Sequence, residues 1–83
     1  MHMDRAIFEL NASVEATSLY ILICALMDQG ESPTLSRASV QWHGTMETLV
    51  TAAEELIRRG VLEGPSPIPE EQPLRVNPQH RWR

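Results

Sequence analysis

The decapeptide ELIRRGVLEG, from Glu55 to Gly64, holds the change from helix to strand on which the architecture depends. Gly60 follows two arginines, the order expected at a helix C-terminus. Cations there meet the helix dipole, and glycine accepts the left-handed conformation that ends the helix. Val61 and Leu62 then begin a run of strand character. The segment therefore predicts a helix that turns sharply into a short strand.

Upstream of this segment, apolar spacing and capping residues predict three helices. Asn11 or Ser13 is the expected N-cap of the first helix, because either side chain can accept a hydrogen bond from a free amide of the first turn. Ser32 and Thr45 are expected to cap the second and third helices, and Gly30 to end the first. The predicted bounds are Val14 to Gln29, Pro33 to Gln41 and Met46 to Arg59.

Downstream of Gly60, Val61 to Glu63 and Leu74 to Asn77 have the character of two short strands. Between them, Gly64 to Pro73 contains four prolines, whose missing N–H groups exclude a helix or a ladder, so a loop is expected. The predicted fold class is therefore mainly α with a small β-hairpin. The predicted divisions are an N-terminal arm or short helix (1–13), one domain (14–77) and a basic C-terminal tail (78–83).

The charges divide the chain into an acidic body and a basic end. All eleven acidic residues lie within residues 1–72, together with four of the seven arginines. The last eleven residues contain three arginines and no acid, and the net charge of the chain is −4. This balance argues against a broadly basic nucleic-acid-binding protein.

Several classes of function are excluded by composition. The single cysteine, Cys24, cannot form a disulfide framework and favours a reducing compartment, so a cytoplasmic protein is expected. Cys24 and the histidines (His2, His43 and His80) lack the spacing of metal ligands. We find no nucleophile with a base at helical spacing and no glycine-rich phosphate loop, so neither an enzyme nor a cofactor is expected. No apolar run reaches the roughly 18 residues that span a membrane.

The first helix carries two apolar faces, more than one small core can cover. One is a regular stripe made of Leu19, Leu22, Ile23 and Leu26. The other is made of Tyr20, Ile21, Cys24 and Met27. Either the N-terminal arm packs on this second face, or another subunit does. The candidate dimer-interface residues are Ile7, Phe8, Tyr20, Cys24 and Met27.

The two tryptophans differ in their expected environments. Trp42 is expected to anchor the second and third helices to each other rather than to stack on a base. Trp82 lies between arginines near the end of the chain, and three roles remain open for it. It can stack on a base, pack on a partner subunit or fold back on the body.

The order of helix, helix, turn, helix and hairpin resembles the winged helix-turn-helix domain of MarR-type and related bacterial regulators. The resemblance covers about Val14 to Asn77. It is carried by Leu35 to Ala38, the turn Trp42 to Gly44, Thr48 to Val50, and Leu56 to Glu63. It implies a three-helix core plus a two-stranded wing, with the third helix as the recognition helix.

The resemblance further implies a homodimeric transcription regulator that binds double-stranded DNA. The N-terminal half of the third helix would enter the major groove, and arginines elsewhere would meet phosphates. The candidate DNA-binding residues are Arg37, His43, Thr45, Thr48, Thr51, Arg75, Arg81 and Arg83.

The acidic residues of the third helix and of the loop argue against DNA binding. Glu47, Glu54 and Glu55 lie on the third helix, and Glu70 and Glu71 lie in the loop, where negative charge opposes phosphate binding. One alternative is therefore a winged-helix protein-interaction module without DNA binding. Another is a replication accessory protein, because Leu74 to Trp82 resembles the ending of some phage and plasmid replication-type winged helices.

Overall fold

The computed structural model describes residues 3–65 and 68–83, so His2, Ser66 and Pro67 of the preceding predictions lie outside the described residues. Within those residues, the structure has three α-helices and a two-stranded antiparallel hairpin, which confirms the predicted fold class. In order, the elements are a 3₁₀ helix Arg5–Glu9, α1 Val14–Asp28, α2 Leu35–Gln41, α3 Met46–Arg58, β1 Leu62–Glu63, β2 Arg75–Val76 and a 3₁₀ turn Gln79–Arg81. Leu62 pairs with Val76, and Glu63 with Arg75.

The core lies mainly between α1 and α3, with α2 and the hairpin closing its sides. Helix α3 buries Leu49, Ala53 and Leu56, whereas Met46 is 41% exposed and Ile57 half-buried. Strand β1 adds Leu62. The α1 stripe is buried as expected except for Leu22, which is half-buried. The buried residues of these elements are Ala16, Leu19, Tyr20, Ile23, Cys24, Leu26, Leu35, Ala38, Leu49, Ala52, Ala53, Leu56 and Leu62.

Glycine ends α3 as predicted. Gly60 adopts φ +74°, its N–H donates to the Ile57 carbonyl at 3.0 Å, and the Val61 N–H donates to the Leu56 carbonyl at 2.9 Å. This pair of bonds satisfies carbonyls left open at the helix end. Gly30, with φ +80°, follows α1 in the same way. Each left-handed glycine turns the chain out of its helix.

Helix α2 starts two residues later than predicted. Its N-cap is Thr34, whose Oγ1 accepts from the Arg37 N–H at 3.1 Å, so the expected Ser32 cap is wrong. The reason is a contact made far along the chain. The Pro33 carbonyl accepts from the Leu74 N–H at 2.7 Å, which ties this segment to the hairpin. The backbone of Thr34 is therefore extended, and α2 begins at Leu35.

Ser13, one of the two expected caps, begins α1. Its Oγ accepts from the Ala16 N–H at 3.1 Å. The Ser13 amide and hydroxyl both donate to the Glu55 carboxylate of α3, at 2.8 and 2.7 Å. These bonds hold the pKa of Glu55 below its ordinary value, and the bond from the amide has the larger effect. Glu55 thus joins α3 to the start of α1, where a negative charge is also favoured by the helix dipole.

The N-terminal arm covers part of the second apolar face of α1, at Tyr20, while Ile21 of the same face is 39% exposed. Asp4 caps the 3₁₀ helix, and its own N–H donates to the Tyr20 hydroxyl at 2.8 Å. Ile7, Tyr20 and Cys24 are then only 0 to 2% exposed. These three dimer-interface candidates therefore lie inside a single chain and are not available to a second subunit. Of the other two, Phe8 is 56% exposed and Met27 is half-buried.

The C-terminal tail folds back on the same region, which is the third of the roles left open for Trp82. The Trp82 ring meets Tyr20 edge-on, with centroids 5.5 Å apart, and its Nε1–H donates to the Asn77 carbonyl at 2.9 Å. The Arg83 N–H donates to the Arg59 carbonyl at 2.7 Å. The Arg59 guanidinium in turn donates to the carbonyls of Arg83 and Leu10. Arm and tail are thus packed on the domain.

Tyr20 should report this packing through its titration. Burial, above all, raises its pKa from 10.0 to about 12. A group whose pKa is raised on folding stabilises the fold below its unfolded value and stops doing so as pH rises through the folded value. We therefore expect stability to fall between about pH 10 and 12. Absorbance titration near 295 nm suits a chain with one tyrosine. A midpoint near 10 in the folded protein would contradict the packing.

Candidate interaction surface

The outer side of α3 is where the predicted recognition residues lie. Thr45, Thr48 and Thr51 are exposed, as expected, while the opposite side of the helix is buried. Two of these threonines are engaged within the chain. Thr45 is the N-cap and accepts from the Thr48 N–H at 3.2 Å, and the Thr48 hydroxyl donates back to the Thr45 carbonyl at 2.9 Å. These side chains therefore have a structural role at the helix start.

Thr48 also positions Trp42. The Trp42 Nε1–H donates to the Thr48 Oγ1 at 3.0 Å, and the half-buried indole packs against the core. The anchoring role expected for Trp42 is confirmed. The Thr48 hydroxyl donates one hydrogen bond and accepts one within the chain, so it is poorly placed to read a base edge. Thr51 is the third exposed threonine of this side of α3.

The structure does not gather the predicted basic residues into one patch. Arg37 on α2 is paired with Glu31 at 2.6 Å, and the Arg83 guanidinium donates to the Arg58 carbonyl at 3.1 Å. His43 lies before α3 and Arg83 beyond its end, so the length of the helix, about 20 Å, separates them. Arg75 and Arg81 are exposed on β2 and the terminal 3₁₀ turn.

The hairpin loop lies against the body where the structure describes it. Ile68 is 7% exposed, and the Glu70 carbonyl accepts from the Ser36 N–H at 3.0 Å, at the start of α2. Three exposed side chains here are acidic: Glu63 on β1, and Glu70 and Glu71 in the loop. The loop therefore adds negative charge beside the hairpin instead of a basic projection.

An open groove of about 590 Å³ lies between α1 and the turn that joins α2 to α3. Its apolar wall on α1 includes Val14, 78% exposed, and Ile21, 39% exposed. Trp42 forms the facing wall. The other lining residues are Glu15, Ser18, Leu22, Ala25, Gln41, His43, Gly44 and Thr48. Apolar side chains exposed in one concave surface are typical of interaction sites.

A smaller acidic depression adjoins the groove and shares Glu15 and Thr48 with it. We call it the acidic shelf, and it is lined by Ser13, Glu15, Glu47, Thr48, Thr51, Ala52 and Glu55. Neither the groove nor the shelf has a lysine or arginine among its described lining residues. Hydrogen bonds from the Ser13 amide and hydroxyl lower the pKa of Glu55 and so favour its charged form.

The groove was not predicted from the sequence, where Ile21 belongs to the second apolar face of the first helix and Val14 is its first residue. The signal was present as a third line on α1, since Val14, Ser18, Ile21 and Ala25 follow each other by four, three and four residues. This row of residues is short and contains a serine, so it does not stand out as an apolar face. The groove becomes evident only because Trp42 lies across from it.

Within residues 3–65 and 68–83, no group of three or more potential metal ligands occurs. No helix there combines the length and apolar character needed to cross a bilayer. Comparison with known protein families, curated proteins and solved structures finds no match for this chain.

Proposed function

We propose that this chain is a winged-helix domain that acts as a protein-interaction module. The element order supports the fold: two helices, a turn, a third helix and a hairpin follow one another. The bond from Leu74 to Pro33 adds to it, because it joins the segment before α2 to the hairpin strand.

The observation that carries the function is the groove. It places Val14, Ile21 and Trp42 around one open apolar surface, while the outer side of α3 carries Glu47 and Glu54. Duplex affinity depends mainly on neutralising phosphates, which acidic side chains on a recognition helix oppose. An apolar concave surface on a small domain favours a protein partner instead.

DNA binding by a homodimer is the second candidate. Two exposed residues favour it: Thr51 on the outer side of α3 and Arg75 on β2. Helix α3 would then lie in the major groove with β2 near the adjacent backbone. Phe8, exposed on the arm, is the residue among the interface candidates best placed to meet a second subunit.

Titration of a labelled random duplex at ~50 mM salt separates the two candidates. As an interaction module, the chain should show no saturable binding up to about 100 µM, the weak limit of non-specific DNA affinity. Salt-dependent binding that weakens in Arg75→Ala would instead support the DNA-binding candidate. Glu71→Ala is a matched control, since it removes an exposed charge of the opposite sign from the loop before β2.

A further inference from the structure

We infer that the groove accepts an amphipathic segment of a partner protein whose apolar side chains are flanked by arginine or lysine. The inference rests on the proposed function and names the chemistry of the partner. The occupant inserts apolar side chains between Ile21 and Trp42 and directs its cations toward the acidic shelf. This is the helix-in-groove mode of recognition, in which apolar anchors give affinity and charges give orientation.

The shape of the groove suits such a segment. Its volume of about 590 Å³ is open to solvent along α1 rather than enclosed. From Val14 to Ala25 the α1 wall covers eleven residue steps, about 16 Å of helix, which matches roughly three turns of a docked helix. Trp42 adds a rigid aromatic wall, and burying an aromatic surface is a frequent source of interface energy.

Charge complementarity selects the sign of the partner. The shelf beside the groove contains Glu15, Glu47 and Glu55, without a lysine or arginine among its lining residues. The hydrogen bonds from Ser13 that hold Glu55 in place also keep it charged. A partner with acidic flanks would be repelled here, whereas one with basic flanks gains both association rate and a defined direction.

The N-terminal arm and the C-terminal tail of the chain itself are poor candidates for occupying the groove. The basic end is engaged elsewhere, since Trp82 packs on Tyr20 and Arg83 bonds to Arg59. On the arm, Phe8 is exposed next to Ile7, which is fully buried. Within the described residues, therefore, neither end of the chain has an apolar stripe flanked by cations that could occupy the groove of a second copy. A foreign segment fits the groove better.

Two synthetic helical peptides of about 15 residues test the inference. Both carry leucines at helical spacing; one has arginine at the flanking positions and the other glutamate. We expect the arginine peptide to bind about tenfold more tightly or better, with a difference that shrinks as salt is raised. Amide chemical-shift changes in a ¹⁵N-labelled chain should centre on Ile21, Ala25 and Trp42.

Two matched variants identify the surface. Ile21→Glu places a charge in the groove and should abolish binding of the arginine peptide. Val40→Glu makes the same change at a residue that is 83% exposed and outside the groove lining, and should leave binding intact. Glu47→Arg should reduce the preference for the arginine peptide. Thermal unfolding of each variant checks that the fold is retained.

The remaining outcomes separate the inference from the function on which it rests. Equal affinity for both peptides, lost in Ile21→Glu, overturns the basic partner and leaves the interaction module standing. Absence of any Ile21-dependent binding overturns both. Light scattering that shows a dimer dissociated by Ile21→Glu and not by Val40→Glu would assign the groove to a second copy, and would overturn the inference.

Discussion

Ile7→Ala is expected to lower the free energy of unfolding by about 2–4 kcal/mol, the range for truncating a fully buried isoleucine. Ile7 is 0% exposed and belongs to the same core cluster as Tyr20 and Cys24. Alanine would leave a cavity beneath the arm. Chemical denaturation followed by tryptophan fluorescence measures the change.

Phe8→Ala is the matched control, because the neighbouring side chain is larger but 56% exposed. Its effect should lie within about 0.5 kcal/mol, as for most surface substitutions. The pair also tests how the second face of α1 is covered. If another subunit covered it, Phe8→Ala would destabilise the protein in a concentration-dependent manner, and Ile7 would not dominate.

Gly60→Ala should destabilise the protein by about 2–4 kcal/mol, combining the left-handed backbone with a steric collision. Gly60 has φ +74°, and an added Cβ would collide with the Arg81 carbonyl oxygen. Backbone cannot move aside as a flexible side chain would. In a chain of this size each kcal/mol lowers Tm by about 4–8 °C, so thermal unfolding resolves the effect easily.

Gly30→Ala isolates the backbone part of this effect. Gly30 has a similar φ of +80°, but nothing lies within 4 Å of an added Cβ. Its cost should be about 1–2 kcal/mol. The difference between the two variants reports the docked tail, and deletion of residues 79–83 should abolish that difference. Equal costs in the full-length chain would show that the tail does not lie over Gly60.

Local sequence signals were sufficient for most of the secondary structure. Helix α3 begins behind Thr45 and ends before Gly60 within one residue of its predicted bounds, and the hairpin pairs where the two apolar stretches predicted it. These features depend on capping, glycine conformation and side-chain alternation, which act over a few residues. The predicted start of α2 was wrong because the Pro33 carbonyl accepts a hydrogen bond from Leu74, which is distant in the chain.

The candidate site was less accessible to sequence reasoning. Thr45 and Thr48 are exposed as expected, yet their hydroxyls cap α3 and hold Trp42. Threonine at a helix start satisfies either role, so its type alone does not distinguish them. The arginines are dispersed over separate elements, and the acidic shelf joins residues of α1 and α3 that are far apart in the chain.

Helix positions, the hairpin and the acidic balance of this protein follow from its order of residues, because each depends on neighbours within a few positions or on simple counting. Which side of α1 is covered, which threonines are engaged and where an apolar groove opens follow from packing. Tyr20 and Ile21 illustrate the difference: they are adjacent and both apolar, but the arm and Trp82 cover the first, and the second faces solvent beside Trp42. Side chains about 100° apart on a helix meet different neighbours, and those neighbours come from distant parts of the chain.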